Sequence, residues 1–105
     1  MENGSRKYAV IISEKASEML ISHARFLTQV SENAALNLIK EFELSAKSLE
    51  DFPDRNLWLS DSVIPINKYR KLLLCSRYLL IYQIKRDTVY VDFIVDCRQD
   101  YGWLL

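Results

Sequence analysis

Apolar residues recur along this chain in two different periods. Lys7 to Ile12 is a short strand-like run, Lys7-Tyr8-Ala9-Val10-Ile11-Ile12. The period then lengthens. Ala16, Met19, Leu20, His23, Leu27 and Val30 fall at helical spacing. Ser13 stands where an N-cap belongs, and Glu14 follows in the first turn, where an acid suits the helix dipole. Ser31 and Glu32 repeat that signal for a second helix. Its stripe is Ala35, Leu38, Ile39, Phe42, Ala46 and Leu49, with Lys40, Glu41, Glu43 and Lys47 mostly on the other side. Almost no linker separates the two, which predicts an antiparallel helical hairpin.

Pro53 ends the second helix. A loop over 54–61 carries Leu57, Trp58 and Leu59, and Trp58 reads as a lid on the core. Residues 62–66 form a short extended segment in which Pro65 marks a sheet edge. Three strand-type runs follow, Tyr69 to Leu74, Tyr78 to Ile84 and Val89 to Asp96, joined by polar turns at 75–77 and 85–88. Tight turns make these strands antiparallel. The order β-α-α-β-β-β therefore predicts an α+β fold. The helical hairpin packs on one face of an antiparallel sheet and the other face stays open. Leu38, Ile39, Phe42, Leu49, Leu80, Tyr82, Ile94 and either Val91 or Phe93 are the expected core.

With 105 residues, half of them hydrophobic, the chain forms one domain over 1–105 and is not disordered. No apolar run reaches the roughly 18 residues that cross a bilayer, so no membrane partner is expected. The polar start, Met1 to Lys7, does not read as a secretory signal, which leads us to expect a cytoplasmic protein. Cys75 and Cys97, with His23 far away, match no zinc spacing and read as reduced, mostly buried thiols. His23 reads as a core-edge residue. Formal net charge is zero, which argues against a globally basic nucleic-acid binder. The halves differ, however. Residues 1–67 hold 7 Lys/Arg against 10 Asp/Glu, and residues 68–105 hold 7 against 4. The strand-rich half is the better candidate for meeting an anionic partner.

The only glycines, Gly4 and Gly102, form no phosphate loop, and no metal or nucleophile triad is visible. What remains is a polar set of Tyr69, Arg70, Lys71, Arg77, Arg98, Gln99, Asp100 and Tyr101. Two readings fit it. One is a solvated strand edge. The other is metal-free RNA cleavage, with arginines on the phosphate and a tyrosine or carboxylate moving a ribose proton. After the bend that Gly102 permits, Trp103-Leu104-Leu105 is apolar enough to fold back onto the domain or dock on a second copy.

Several local patterns carry a family resemblance. Tyr69-Arg70 opens a strand, and Tyr78-Leu79-Leu80-Ile81-Tyr82-Gln83-Ile84 forms a hairpin strand. Asp87-Thr88-Val89 marks the next turn, and Asp96-Cys97-Arg98-Gln99-Asp100-Tyr101 closes the run. With the element order, these resemble the RelE/ParE toxins of type II toxin–antitoxin systems, often labelled plasmid stabilisation proteins, from Tyr8 to Leu105. The resemblance implies a growth-inhibiting toxin neutralised by a cognate antitoxin that wraps it. It implies one of two targets, ribosome-bound mRNA for the RelE type or DNA gyrase for the ParE type. No cofactor and no metal is implied, and a homodimer is allowed. By position, the RelE-type catalytic set maps onto Arg70, Arg98 and Tyr101. A second strand base falls at Leu72 and the hairpin arginine at Leu79, where Arg77 is a partial substitute. Part of the basic set of a ribosome-dependent endoribonuclease is thus missing, and the net charge suits rRNA docking poorly. These departures lean towards the ParE type, or towards a degenerate non-toxic member that only binds an antitoxin.

Overall fold

The computed structural model of this chain describes residues 7–60 and 65–97. Strand β1 (Ala9–Ile12) passes through Ser13 into helix α1 (Glu14–Thr28). Ser13 is extended, and its hydroxyl accepts the Ala16 N–H at 2.9 Å. The same hydroxyl donates to the Asp92 carbonyl at 3.1 Å, so the cap also pins α1 to the sheet. Helix α2 (Glu32–Ser48) starts in the same way, with Ser31 accepting the Ala34 N–H. Both caps are the ones the sequence marks. A 3-10 turn at Pro53–Arg55 follows. The chain then makes β2 (Arg70–Leu74), β3 (Tyr78–Lys85) and β4 (Thr88–Asp96).

The four strands lie in the order β1-β4-β3-β2. The meander β2-β3-β4 is antiparallel, as its tight turns require. However, β1 joins β4 in parallel, with Ala9 opposite Thr88 and Ile12 opposite Val91, so the sheet is mixed rather than wholly antiparallel. The reason lies in the helices. After α2 the chain returns to the start of β1, where the Tyr8 N–H donates to the Glu50 carbonyl at 2.9 Å. The later strands thus set out from that same end, and two hairpin reversals give β4 the direction of β1. Asp92 is an extra residue between the pairs Tyr82–Val91 and Ile81–Phe93. This bulge turns its carboxylate onto the Gln83 amide at 2.5 Å.

Alternation along β3 sends Tyr78, Leu80 and Tyr82 to the helices and Leu79 and Ile81 to the other face. The helix-side core gathers Leu38, Phe42, Leu49, Leu74, Leu80, Tyr82, Val91 and Ile94, all buried. One expected member differs: Ile39 lies on the outer side of α2, partly exposed. Of Val91 and Phe93 it is Val91 that joins this core, and Phe93 packs half-buried on the opposite face. Val30, at the hairpin tip, is exposed. The face away from the helices is not open at its centre, because Leu79, Ile81 and Val95 are buried there with Leu59 and Tyr69. Leu59, not Trp58, is the lid: Trp58 is 41% exposed.

Candidate functional site

Arg70 and Arg77 belong to opposite ends of the β2–β3 hairpin. Arg70 pairs across from Tyr82, whereas Arg77 precedes Tyr78. Five residues of extended chain between positions 77 and 82 correspond to roughly 16 Å. Each guanidinium also has partners of its own. Arg70 donates from Nη1 to the Asn56 carbonyl at 2.6 Å and stacks 3.7 Å from the centre of the Trp58 ring. Arg77 donates from Nε to the nearly buried Asp96 carboxylate at 3.2 Å, with the rings of Tyr78 and Phe26 within 6 Å. The structure therefore does not bring these two arginines together around one phosphate-sized space. Arg98 and Tyr101 lie outside the described residues, as do Gln99, Asp100 and the 103–105 tail.

The two leucines at cation positions face opposite ways. Leu72 packs towards the helix-side core, and Leu79 is buried on the far face against Leu59, Ile81 and Val95. An arginine at position 79 would enter an apolar cluster. Polar groups on that face gather at one end, where Gln83 holds Asp92 and Lys85 lies 5.7 Å from the Tyr90 ring.

Around Arg70, a chain of polar contacts ties the loop to the sheet. The Asn56 amide donates to the Tyr82 hydroxyl at 3.0 Å, and that hydroxyl donates to the Pro53 carbonyl at 2.5 Å. Burial pushes the Tyr82 phenol pKa up, partly offset by the Asn56 hydrogen bond and the Arg70 charge. His23 is a core-edge residue as expected. Its Nε2–H donates to the Ile94 carbonyl at 2.7 Å, and its ring lies 4.8 Å from that of Tyr78. Both cysteines are free thiols. Cys75 is half-buried, and burial, helped by the Glu41 carboxylate, raises its pKa. Cys97 is exposed, contrary to expectation, with its thiol on the Arg77 carbonyl. Among the described residues no group of His, Cys, Asp and Glu is placed to hold a metal ion. No described helix is long and apolar enough to cross a membrane.

Another concavity lies between α1 and α2 on their outer side. It is an apolar groove of about 570 Å³. Its floor carries the small side chains of Ala24 and Ala35, and its walls are Leu20, Ile21, Leu36 and Ile39. Ile21 is 51% and Leu36 64% exposed. Arg25, Thr28 and Glu32 line its end nearest the hairpin tip. A shallow-floored apolar trough between two helices accepts a ridge of large side chains from a third. The sequence signal for it was present but unused. Ile21 and Leu36 lie off the stripes that build the core, and Ile39 lies at the margin of its own.

No family model matches this chain, and no curated protein matches it. Among solved structures, one described as "Chromosomal ParDE TA system from P. aeruginosa" superposes with a TM-score of 0.69. The match covers 88% of this chain and 98% of that one at 15% sequence identity. At this identity the likeness is one of fold. It agrees with the α+β, RelE/ParE-like arrangement expected from the residues.

Proposed function

We propose that this chain is the toxin member of a type II toxin–antitoxin pair, held by a protein antitoxin that lays an amphipathic helix into the α1–α2 groove. The observation that carries the reading is the groove itself. Two half-exposed or more exposed aliphatic walls over an alanine floor are a poor surface to leave in water. The matched structure, which is described as a toxin–antitoxin system, supports the same assignment. Between the two targets, the geometry favours a protein such as DNA gyrase over ribosome-bound mRNA. Arg70 and Arg77 are far apart and engaged, and the centre of the sheet face opposite the helices is apolar and buried. Inhibition of a protein needs no preorganised phosphate site, whereas metal-free RNA cleavage does.

The test is induction of the chain in growing bacterial cells, with transcript integrity and gyrase supercoiling assayed separately. The reading expects a small reading frame encoding the antitoxin beside this one, and it expects growth arrest, intact transcripts and lost supercoiling, relieved by co-expression of that frame. Cut transcripts would instead point to an endoribonuclease built on Arg70, Arg77, Arg98 and Tyr101. Cleavage should then vanish in Arg98→Ala while the fold persists. Normal growth together with stable antitoxin binding would identify a degenerate, non-toxic member.

A further inference from the structure

Helix α1 carries a depression on its solvent-facing crest, beside the groove. It holds about 350 Å³ and is lined by Glu18, Ile21, Ser22 and Arg25. Positions i, i+3, i+4 and i+7 are the four corners of a hole that accepts a side chain from a facing helix. Here an acid and a base stand at the two ends, with an isoleucine and a serine between them. Ile21 is half-exposed, and the small Ser22 leaves room above it. Seven residues of helix span roughly 10 Å, too far for Glu18 and Arg25 to pair within one copy. Among the described residues neither of them forms an ion pair.

This pattern is its own complement when reversed. A second α1 can lie antiparallel on the first, with a two-fold axis between Ile21 and Ser22. Glu18 of each copy then faces Arg25 of the other, and each Ile21 sits over the other copy's Ser22. The next turns bring Glu14 to Gln29 and Lys15 to Thr28, so no like charges meet. A parallel pairing would instead set Glu18 against Glu18 and Arg25 against Arg25, which repel. A helix seated on this crest also reaches across the groove to Leu36, which is largely exposed. By symmetry each α1 lies in the other copy's trough, and the two hairpins make a four-helix bundle. We propose that the free chain pairs with a second copy of itself through α1, antiparallel, about an axis between Ile21 and Ser22. Helix α1 has 15 residues. Its length of about 22 Å makes a contact at the small end of specific interfaces, so the dimer is dissociable, with micromolar affinity. The pairing goes beyond the capture of a partner helix and does not depend on it. The two compete for one surface. In the free chain the second copy shields the aliphatic walls, and a partner entering the groove must displace it.

Sedimentation equilibrium of the purified chain across the micromolar range measures the pairing with no other protein present. The wild type should show a reversible monomer–dimer equilibrium that weakens with added salt. Glu18→Arg alone, or Arg25→Glu alone, sets like charges opposite one another at both ends of the interface. Each should weaken dimerisation roughly tenfold or more. Glu18→Arg combined with Arg25→Glu exchanges the signs and recreates the complement, so it should restore the wild-type constant to within about threefold. Both side chains are exposed, and thermal melts check that each variant keeps the fold. A wild type that stays monomeric, single reversals that leave the dimer intact, or a double reversal that fails to restore it would overturn the proposal. Because the chain is measured alone, a failed toxin–antitoxin reading shows itself separately, as normal growth on induction and no co-purifying product of the adjoining frame.

Discussion

Removing one oxygen atom from Tyr82 tests how the loop is tied to the sheet. Tyr82 is fully buried, and its hydroxyl both accepts from Asn56 and donates to the Pro53 carbonyl. Tyr82→Phe keeps the ring and its packing but leaves the carbonyl of a fully buried proline without that donor. A buried polar group stripped of its partner costs about 1–3 kcal/mol. In a domain of this size about 1 kcal/mol shifts the melting temperature by roughly 4–8 °C, so the loss should fall between about 4 and 24 °C. Urea and thermal melts of the two proteins measure it directly. A double-mutant cycle with Asn56→Ala should show coupling of about 0.5 kcal/mol or more, since the two side chains share one hydrogen bond. A second arm uses pH. Burial raises the Tyr82 phenol above its ordinary value of 10.0. The folded state therefore holds this proton more tightly than the unfolded chain does. The resulting stability is fully present below about pH 10 and is lost as pH rises through the folded-state pKa. The wild-type protein should lose stability in that alkaline window more steeply than Tyr82→Phe does. A destabilisation under about 0.5 kcal/mol, or equal alkaline slopes, would refute the argument that this hydroxyl is a buried tie.

Three further substitutions read other parts of the structure. Phe42→Ala empties the centre of the helix-side core and should cost about 3–5 kcal/mol in urea melts. Ser13→Ala removes a cap that also bonds the Asp92 carbonyl, and should cost about 1 kcal/mol or slightly more, with faster amide exchange in the first turn of α1. Arg77→Met removes the guanidinium partner of the nearly buried Asp96 carboxylate. The guanidinium side chain is 35% exposed, so the loss should be about 1–2 kcal/mol, below that of a fully buried pair.

Much of the fold was legible because its signals are local. Ser13 and Ser31 cap their helices through bonds to residues three positions on, and the strands of the meander are joined by turns. What escaped depends on distant parts of the chain. The parallel entry of β1 follows from the return of α2 to Tyr8, which no window of sequence displays. Asn56 and Asp96, the partners that engage Arg70 and Arg77, stand 14 and 19 residues away, so residue types alone leave both cations looking available. The parity of Leu79 was readable, but its burial depends on Leu59 reaching across the sheet. Trp58 had the composition of a lid and became a stacking surface for Arg70 because the neighbouring leucine took the inward position. The groove was hidden for the opposite reason. Core stripes draw attention to what is buried, whereas Ile21 and Leu36 matter by being exposed.

The central claim is that the α1–α2 groove captures a protein partner. Its most direct test is co-purification of the adjoining reading frame's product with the tagged chain, for the wild type and for Ile21→Glu combined with Leu36→Glu. Both positions are largely solvent-exposed, so the double variant should melt within a few degrees of wild type. The account predicts that the wild-type chain carries the partner through size-exclusion chromatography as one complex and that the double variant elutes alone. A partner retained undiminished by the double variant, or never retained by the wild type, would contradict it.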